Sequence, residues 1–483
     1  MKTFVWIAGL SALMLLSAPV QGQESATTNS TVPAPAKKAS AKKAAAKPAS
    51  GGSATKTAEA QGQHDELGTG ALENDAGGLS NPHPGAQWFP EAGFGLFIHW
   101  TMSAVHGGAD ASWSMLANKP WLGDGTITPN EYWGLTNQWK ADRFDMDKTL
   151  KAAKEAGFKY AVFVTKHHDG FTFWPTEYGE IGTRQTFAGR DFVKEFVDAC
   201  RKYDLKVGLY YSPPDWYFDR EYRSFSLKGP YLDVNHKPST KKPKPAGHDE
   251  ARAELVRNHV RELLTRYGKI DLIFFDGGRA EMPNSEIRKL QPGIVINKRN
   301  KDVLDKGDYG DSEGKPPEVR FKGWFEFNDT CWPSAHWAYS ASDNMDDAST
   351  VLCNLIKMRA WGGNYLANVG PCGSGEVLPE VYAVWREIGQ WMAHSGESIY
   401  GVKGGSYPEK ATVPVAVKDN VAYCFALPPH QGYVTLQDVK APKRVTLLRT
   451  KTPLKYEYTN GVMRLQLPPA LRTRLPDVVK VEF

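Results

Sequence analysis

A carboxylate closes the most apolar stretch of the chain. Ile270 to Phe275 holds five apolar or aromatic residues in six positions, broken only by Asp271, and the run ends at Asp276-Gly277-Gly278. Such a run reads as a strand buried on both faces. An acid at its end, followed by glycines that let a ligand approach closely, is placed for chemistry. The competing reading is a plain Asp-Gly turn. The same arrangement recurs: Gly93 to Ile98 hands over His99-Trp100, and Phe158 to Thr165 hands over Lys166-His167-His168-Asp169. Lys206 to Ser212 leads into Pro213-Pro214-Asp215-Trp216, and Ile294-Val295-Ile296 into Asn297-Lys298-Arg299.

Two chemistries fit these residue types. His99, His167 and His168 could ligate a metal, but neighbouring residues of a strand point to opposite faces, and no His-x-His or His-x-x-x-His spacing occurs. Neutral imidazoles that hydrogen-bond a polyhydroxylated ligand are the better reading, because they both donate and accept; satisfied core histidines are the plain alternative. The second chemistry needs two carboxyl groups, one as nucleophile or base and one as an acid with a raised pKa. Asp276 is the first. Its partner lies among Asp308, Asp311, Glu313, Glu318, Glu326 and Asp329, and spacing alone does not choose. No Gly-x-Ser-x-Gly elbow, phosphate loop or dinucleotide fingerprint is present, and no cofactor is expected.

Helical segments alternate with these strands. Asp145 to Gly157, Asp191 to Tyr203, Glu250 to Tyr267 and Pro379 to Met392 have amphipathic spacing, and Asn364 to Pro371 reads as a further strand. Helix and strand in alternation, with a polar cluster at each strand's end, predict an α/β (β/α) TIM-like barrel over 82–398. Tyr217 to Gly247 is a Lys/Pro-rich surface insertion. After Ile399, short alternating segments separated by Pro, Gly, Asn and Asp predict a C-terminal antiparallel β-sandwich over 399–483.

The front of the chain is different in kind. Residues 1–22 read as a signal peptide: Lys2, the apolar stretch Phe4 to Leu16, then Ala18 to Gly22 as a small-residue cleavage site. That stretch is too short for a membrane span, so a secreted or periplasmic protein is expected. Residues 23–81, rich in Ala, Lys, Ser and Pro, cannot build a core and read as a disordered linker. Six lysines between Lys37 and Lys56 outweigh the whole net charge of +5, so the folded part is near neutral and no nucleic-acid partner is expected. Five scattered cysteines argue against a structural zinc site. Fifteen tryptophans hint at a ligand with apolar C–H faces.

Taken together, the motifs resemble glycoside hydrolase family 29, the α-L-fucosidases. The resemblance rests on Gly95 to Trp100, Lys166-His167-His168-Asp169-Gly170-Phe171, Gly208 to Ser212, Phe275 to Gly278, Leu366 to Pro371, Glu387 to Trp391 and Ser395 to Gly401. It covers about Trp88 to Gly401. It implies a metal-free retaining mechanism on a fucosylated glycan or polysaccharide, with Asp276 as nucleophile. It places His99, His167, His168, Tyr211 and Arg299 on the sugar, with Trp100, Trp113 and Phe274 as aromatic walls. For the acid/base it puts Glu313 first, Glu326 second and Glu318 third.

The chain departs from the family pattern at Thr101, at Ser112, where a carboxylate is usual, and at Phe274, where tryptophan is usual. The departures bear on substrate choice. They leave two rivals to the hydrolase: a lectin-like fucose binder without catalysis, and a glycosidase of the same mechanism for a related sugar. The sequence is silent on oligomeric state.

Overall fold

Eight parallel strands form the centre of the protein, in a computed structural model that describes residues 78–119 and 126–483. They are β1 (Phe94–Ile98), β2 (Tyr160–Lys166), β3 (Lys206–Tyr211), β4 (Leu272–Phe275), β5 (Val295–Ile296), β6 (Tyr309–Glu313), β7 (Trp324–Asp329) and β8 (Asn364–Val369). Their order is β5-β4-β3-β2-β1-β8-β7-β6, and a parallel bridge between Asn297 and Tyr309 brings the two ends together. The sheet is thus a nearly closed barrel, as the alternating pattern predicts. The expected signal peptide, 1–22, and the expected linker as far as residue 77 lie outside the described residues; of its last four positions, 78–81, Asn81 is buried.

Six helices cover the barrel wall: α1 (Met146–Ala156), α2 (Phe192–Lys202), α3 (His248–Arg266), α4 (Asn284–Leu290), α5 (Ala348–Arg359) and α6 (Pro379–Ser395). The Asp145 carboxylate caps α1 by accepting from the Lys148 amide, and Gly157, with φ +102°, ends it. Asp191 and Asp347 cap α2 and α5 in the same way. No α-helix separates β5 from β6 or β6 from β7, so the barrel is irregular on the side that carries Arg299, Asp311 and Glu313.

Strand alternation sorts the side chains into two cores. Phe97, Tyr160, Val162, Val164, Tyr210, Leu272, Phe274, Val295 and Tyr309 fill the barrel interior. Phe94, Leu96, Phe163, Leu209, Tyr211, Ile273 and Phe275 face outward to the helices. The barrel's lower end is stoppered by Ala86, Phe89 and Ala92, which pack with the interior set. The chain joins the barrel from Leu79, which bridges Gly323 in parallel. Arg359 ties this end together by donating to the carbonyls of Pro90, Gly363, Ile399 and Val402.

The C-terminal part is a six-stranded antiparallel sheet centred on the pairing of Val421–Ala426 with Asp477–Glu482, and a three-stranded sheet of Tyr433–Leu436, Val462–Gln466 and Glu457–Thr459. These sheets enclose their own apolar core around Val415, Cys424, Leu436, Leu447, Met463 and Val479, which is the predicted β-sandwich. Tyr423, Phe425 and Val478 pack instead with the barrel's outer core. None of the five cysteines is joined in a disulfide. Among the described residues, no helix is long and apolar enough to cross a membrane.

Candidate active site

Asp276 is the first residue past β4, at the C-terminal mouth of the barrel, and its amide still donates to the Tyr211 carbonyl at 3.2 Å. The chain then has to leave the strand sharply. Gly277 takes φ +84°, and a Cβ on Gly278 would lie 3.0 Å from the backbone of Asn300, so both glycines are required by geometry. The Asp276 carboxylate is held by two donors. Tyr210 donates to Oδ2 at 2.8 Å, and Arg299 Nη1 donates to Oδ1 at 3.1 Å. Burial keeps the Tyr210 hydroxyl well above its ordinary pKa, with the Asp276 charge adding to the effect, so it remains a donor.

Arg299 follows β5 and is buried at the centre of an acidic cluster. Its Nε donates to Asp311 Oδ2 at 2.7 Å, and its Nη1 meets Glu313 Oε1 at 2.6 Å. Asp311 and Glu313 are two apart on β6, so they share the inward face. Asp276 and Glu313 therefore flank one nitrogen, which holds those two oxygens within ~6 Å of each other. That fits the about 5–5.5 Å carboxyl separation of a retaining pair better than the about 6.5–9.5 Å of an inverting pair. Burial pushes Glu313 up to about 7; Asp276 and Asp311 add to the rise, while Arg299 opposes it.

Three histidines form the facing wall. His99 Nδ1 lies 2.7 Å from Asn368 Oδ1, and the Asn368 amide nitrogen donates to the Trp337 carbonyl at 2.7 Å. That fixes Oδ1 as acceptor and His99 Nδ1 as donor, leaving Nε2 as an acceptor on the other edge. His167 is set similarly through Ser112. The Ser112 hydroxyl donates to Asp169 Oδ2 at 3.0 Å and accepts from the Asp169 amide at 2.9 Å, so His167 Nδ1, 2.5 Å away, donates to it. Tyr132 and the Phe171 amide also donate to Asp169. His168 Nδ1 engages Ser212 Oγ at 2.5 Å, and its Nε2 is buried without a partner, 3.5 Å from Asp276 Oδ2. Burial lowers all three histidines, His99 to about 4 and the other two well below their usual value, so all are neutral.

The structure brings together Asp276, Glu313, Arg299, His99, His167 and His168, and sets two of the expected aromatic residues beside them. Trp113 meets His168 edge-on at 5.1 Å. Phe274 lies beneath, inside the barrel, with the Arg299 guanidinium 5.2 Å from its ring. His167 and His168 both reach the pocket because they stand beyond the end of β2, where the chain turns and the Gly170 amide donates to the His167 carbonyl.

Four expected residues lie elsewhere. Tyr211 points out of the barrel and pairs its hydroxyl with His259 Nδ1 at 3.0 Å; its neighbour Tyr210 is the one facing Asp276. Trp100 also points outward, among Trp139, Phe144, Phe173 and Phe192, and donates to the Cys372 carbonyl. Glu326 is fully buried inside the barrel, where it accepts from the Tyr160 hydroxyl at the opposite end of β2 from the histidines. Glu318 is an exposed side chain paired with Lys315 at 2.8 Å. Sequence reasoning missed Tyr210 and Asn368; it named Asp311 only as a possible partner carboxylate and Ser112 only as a departure from the family pattern. It also missed Trp216, whose ring stacks on His168 at 5.3 Å. For Asp311 a signal existed, its i,i+2 spacing to Glu313.

The site thus offers one carboxylate fixed by two donors, a second carboxyl whose proton titrates near neutrality, and neutral imidazoles to receive hydroxyl groups. Comparison with known proteins agrees with that chemistry. The profile of the α-L-fucosidase family matches residues 64–397. The tissue α-L-fucosidase of Rattus norvegicus is 28% identical over 446 residues, covering 83% of this chain and 92% of the rat protein. The tissue α-L-fucosidase of Homo sapiens is 27% identical over 433 residues, covering 81% and 87%. Among solved structures, α-L-fucosidase isoenzyme 1 from Paenibacillus thiaminolyticus superposes with a TM-score of 0.69 at 27% identity, covering 83% of this chain and 98% of that one.

Proposed function

Because the chain belongs to the α-L-fucosidase family, glycoside hydrolase family 29, we propose that it is a retaining exo-α-L-fucosidase that removes terminal α-L-fucosyl residues from glycans or polysaccharides. Asp276 attacks the anomeric carbon as the bond to the leaving oxygen breaks, and Glu313 gives that oxygen its proton. A covalent glycosyl-enzyme results. Glu313, now ionised, takes a proton from water, which attacks the same carbon and releases Asp276. His99, His167 and His168 receive the sugar's hydroxyls. Arg299 and Tyr210 hold the Asp276 carboxylate in place by donating to its two oxygens.

The observation that carries this reading is the shared hold of Arg299 Nη1 on Asp276 and Glu313, at 3.1 and 2.6 Å. A protein that only binds its sugar gains nothing from a buried acid poised opposite a fixed carboxylate. The signal-peptide pattern of residues 1–22 supports action outside the cytoplasm. The test is incubation with an aryl α-L-fucoside, following the first anomer released by proton NMR. Release of α-L-fucose is expected. Release of the β anomer, or binding of fucose without turnover, would contradict the proposal.

A further inference from the structure

Asp311 is tied to Asp276 and Glu313 through the guanidinium that all three carboxyl groups meet. It is 4% exposed, on the inward face of β6, two residues before Glu313. Its Oδ2 grips the Nε of Arg299 at 2.7 Å, while Nη1 of the same guanidinium meets both Asp276 and Glu313. A guanidinium is planar, so a grip at Nε fixes the direction in which Nη1 points. Without it, the arginine can swing toward either of the other two carboxyl groups.

Charge gives Asp311 a second effect. Three carboxyl groups meet one buried guanidinium, so with all three ionised their negative charges outnumber the cation they touch by two. Uptake of one proton relieves this. Arg299, Asp276, Asp311 and Tyr210 bear on Glu313, and Lys301 bears on Asp276 beside it. Those around Asp311 are Arg299, Glu313, Tyr309 and Glu326, which lies across from it on β7. Burial pushes Glu326 up to about 8, so it is uncharged at neutral pH and Asp311 is the nearer anion.

We propose that Asp311 is a positioning residue for the displacement: it fixes Arg299 as the bridge between Asp276 and Glu313, and its charge retains the reaction's proton on Glu313. This rests on the hydrolytic reading of the site. In the first step the Glu313 O–H bond breaks, its proton passes to the glycosidic oxygen, and the bond from carbon to that oxygen is exchanged for one to Asp276. Asp311 gains and loses nothing, and acts through its grip on Arg299 and through its charge.

The test is the pH dependence of kcat/KM for wild type and Asp311→Asn on an unactivated aryl α-L-fucoside. Loss of the Asp311 charge makes Glu313 easier to ionise, so the alkaline limb is expected to move to lower pH by about one unit. Near pH 7 this is a loss of about fivefold, growing to about tenfold at pH 8 and above, whereas KM and activity at pH 5 change little. An alkaline limb that stays in place, at whatever rate, overturns the proposal. Asp311→Ser is the second variant, read in the same way. If neither variant folds, carbon NMR of glutamate-labelled wild type decides: Glu313 titrating near neutrality supports the proposal, and titration near the ordinary ~4.3 overturns it. Wild type without turnover on any α-L-fucoside removes the premise and overturns both readings together, and it is measured first.

Discussion

Asp276 and Glu313 rest on the same nitrogen of Arg299, one at 3.1 Å and the other at 2.6 Å. They arrive there from different parts of the barrel. Asp276 follows β4, Glu313 ends β6, and Arg299 stands in a short 3-10 turn, Lys298–Asn300, between β5 and β6. The arginine both neutralises and spaces the pair. In a retaining displacement the two carboxyl groups must differ in protonation while lying close together, and a single cation between them allows both.

The register of β3 makes opposite predictions for two adjacent tyrosines. Tyr210→Phe removes a donor from Asp276 Oδ2 and should lower kcat by about ten- to a hundredfold, since a hydrogen bond to a charged group is worth about 1.5–3 kcal/mol. Tyr211→Phe removes a hydrogen bond to His259 on the outside of the barrel. It should cost about 1 kcal/mol of stability and leave kcat within about twofold. Steady-state kinetics and thermal melts on the two variants check this.

Glu313 must carry a proton to act as the acid. With the group pushed up to about 7, kcat/KM should fall as pH rises through that value. On the acid side His99 stays neutral down to about 4, so its protonation takes no activity above about pH 5. Glu313→Gln should abolish the alkaline limb. It should also slow substrates with poor leaving groups far more than those with activated ones.

Ser112 is predicted to act through His167. Its hydroxyl sets Nδ1 of that ring as the donor, so Ser112→Ala lets the ring change tautomer and lose its acceptor edge. KM should rise by about tenfold, the equivalent of ~1.4 kcal/mol, with kcat less affected. Asn368→Ala should do the same through His99.

The parts of this design that were legible in the sequence are those where composition and geometry agree. Asp276 was legible because an apolar strand ends there abruptly. The helices were legible where an aspartate cap precedes them and apolar residues recur at helical spacing, although α5, capped by Asp347, escaped. β6 was hidden because its residues, Tyr309-Gly310-Asp311-Ser312-Glu313, are those of a site rather than of a strand. Tyr211 and Trp100 were misplaced for a different reason. In β1 and β3 both faces are apolar, so the alternation that tells inside from outside leaves no trace in residue type. Only the register against neighbouring strands assigns Tyr210 inward and Tyr211 outward.

Glu326 yields a prediction about stability rather than rate. Its folded-state pKa is raised to about 8 by burial, above the ~4.3 of an unfolded chain. The folded state therefore binds the extra proton. Stability is full below the unfolded value and is lost as pH rises through the folded one, by a few kcal/mol between about pH 5 and 9. Glu326→Gln should flatten that loss while leaving the active-site titration in place. Denaturant titrations of both proteins across this range check it.

The central claim is that Asp276 forms the covalent bond, and its most direct test is Asp276→Gly assayed with an aryl α-L-fucoside in the presence and absence of azide. Turnover should fall by several orders of magnitude, and azide, entering the space left by the carboxylate, should restore part of it with β-L-fucosyl azide as the product. Activity close to wild type in this variant, or rescue that yields the α-azide, would contradict the account.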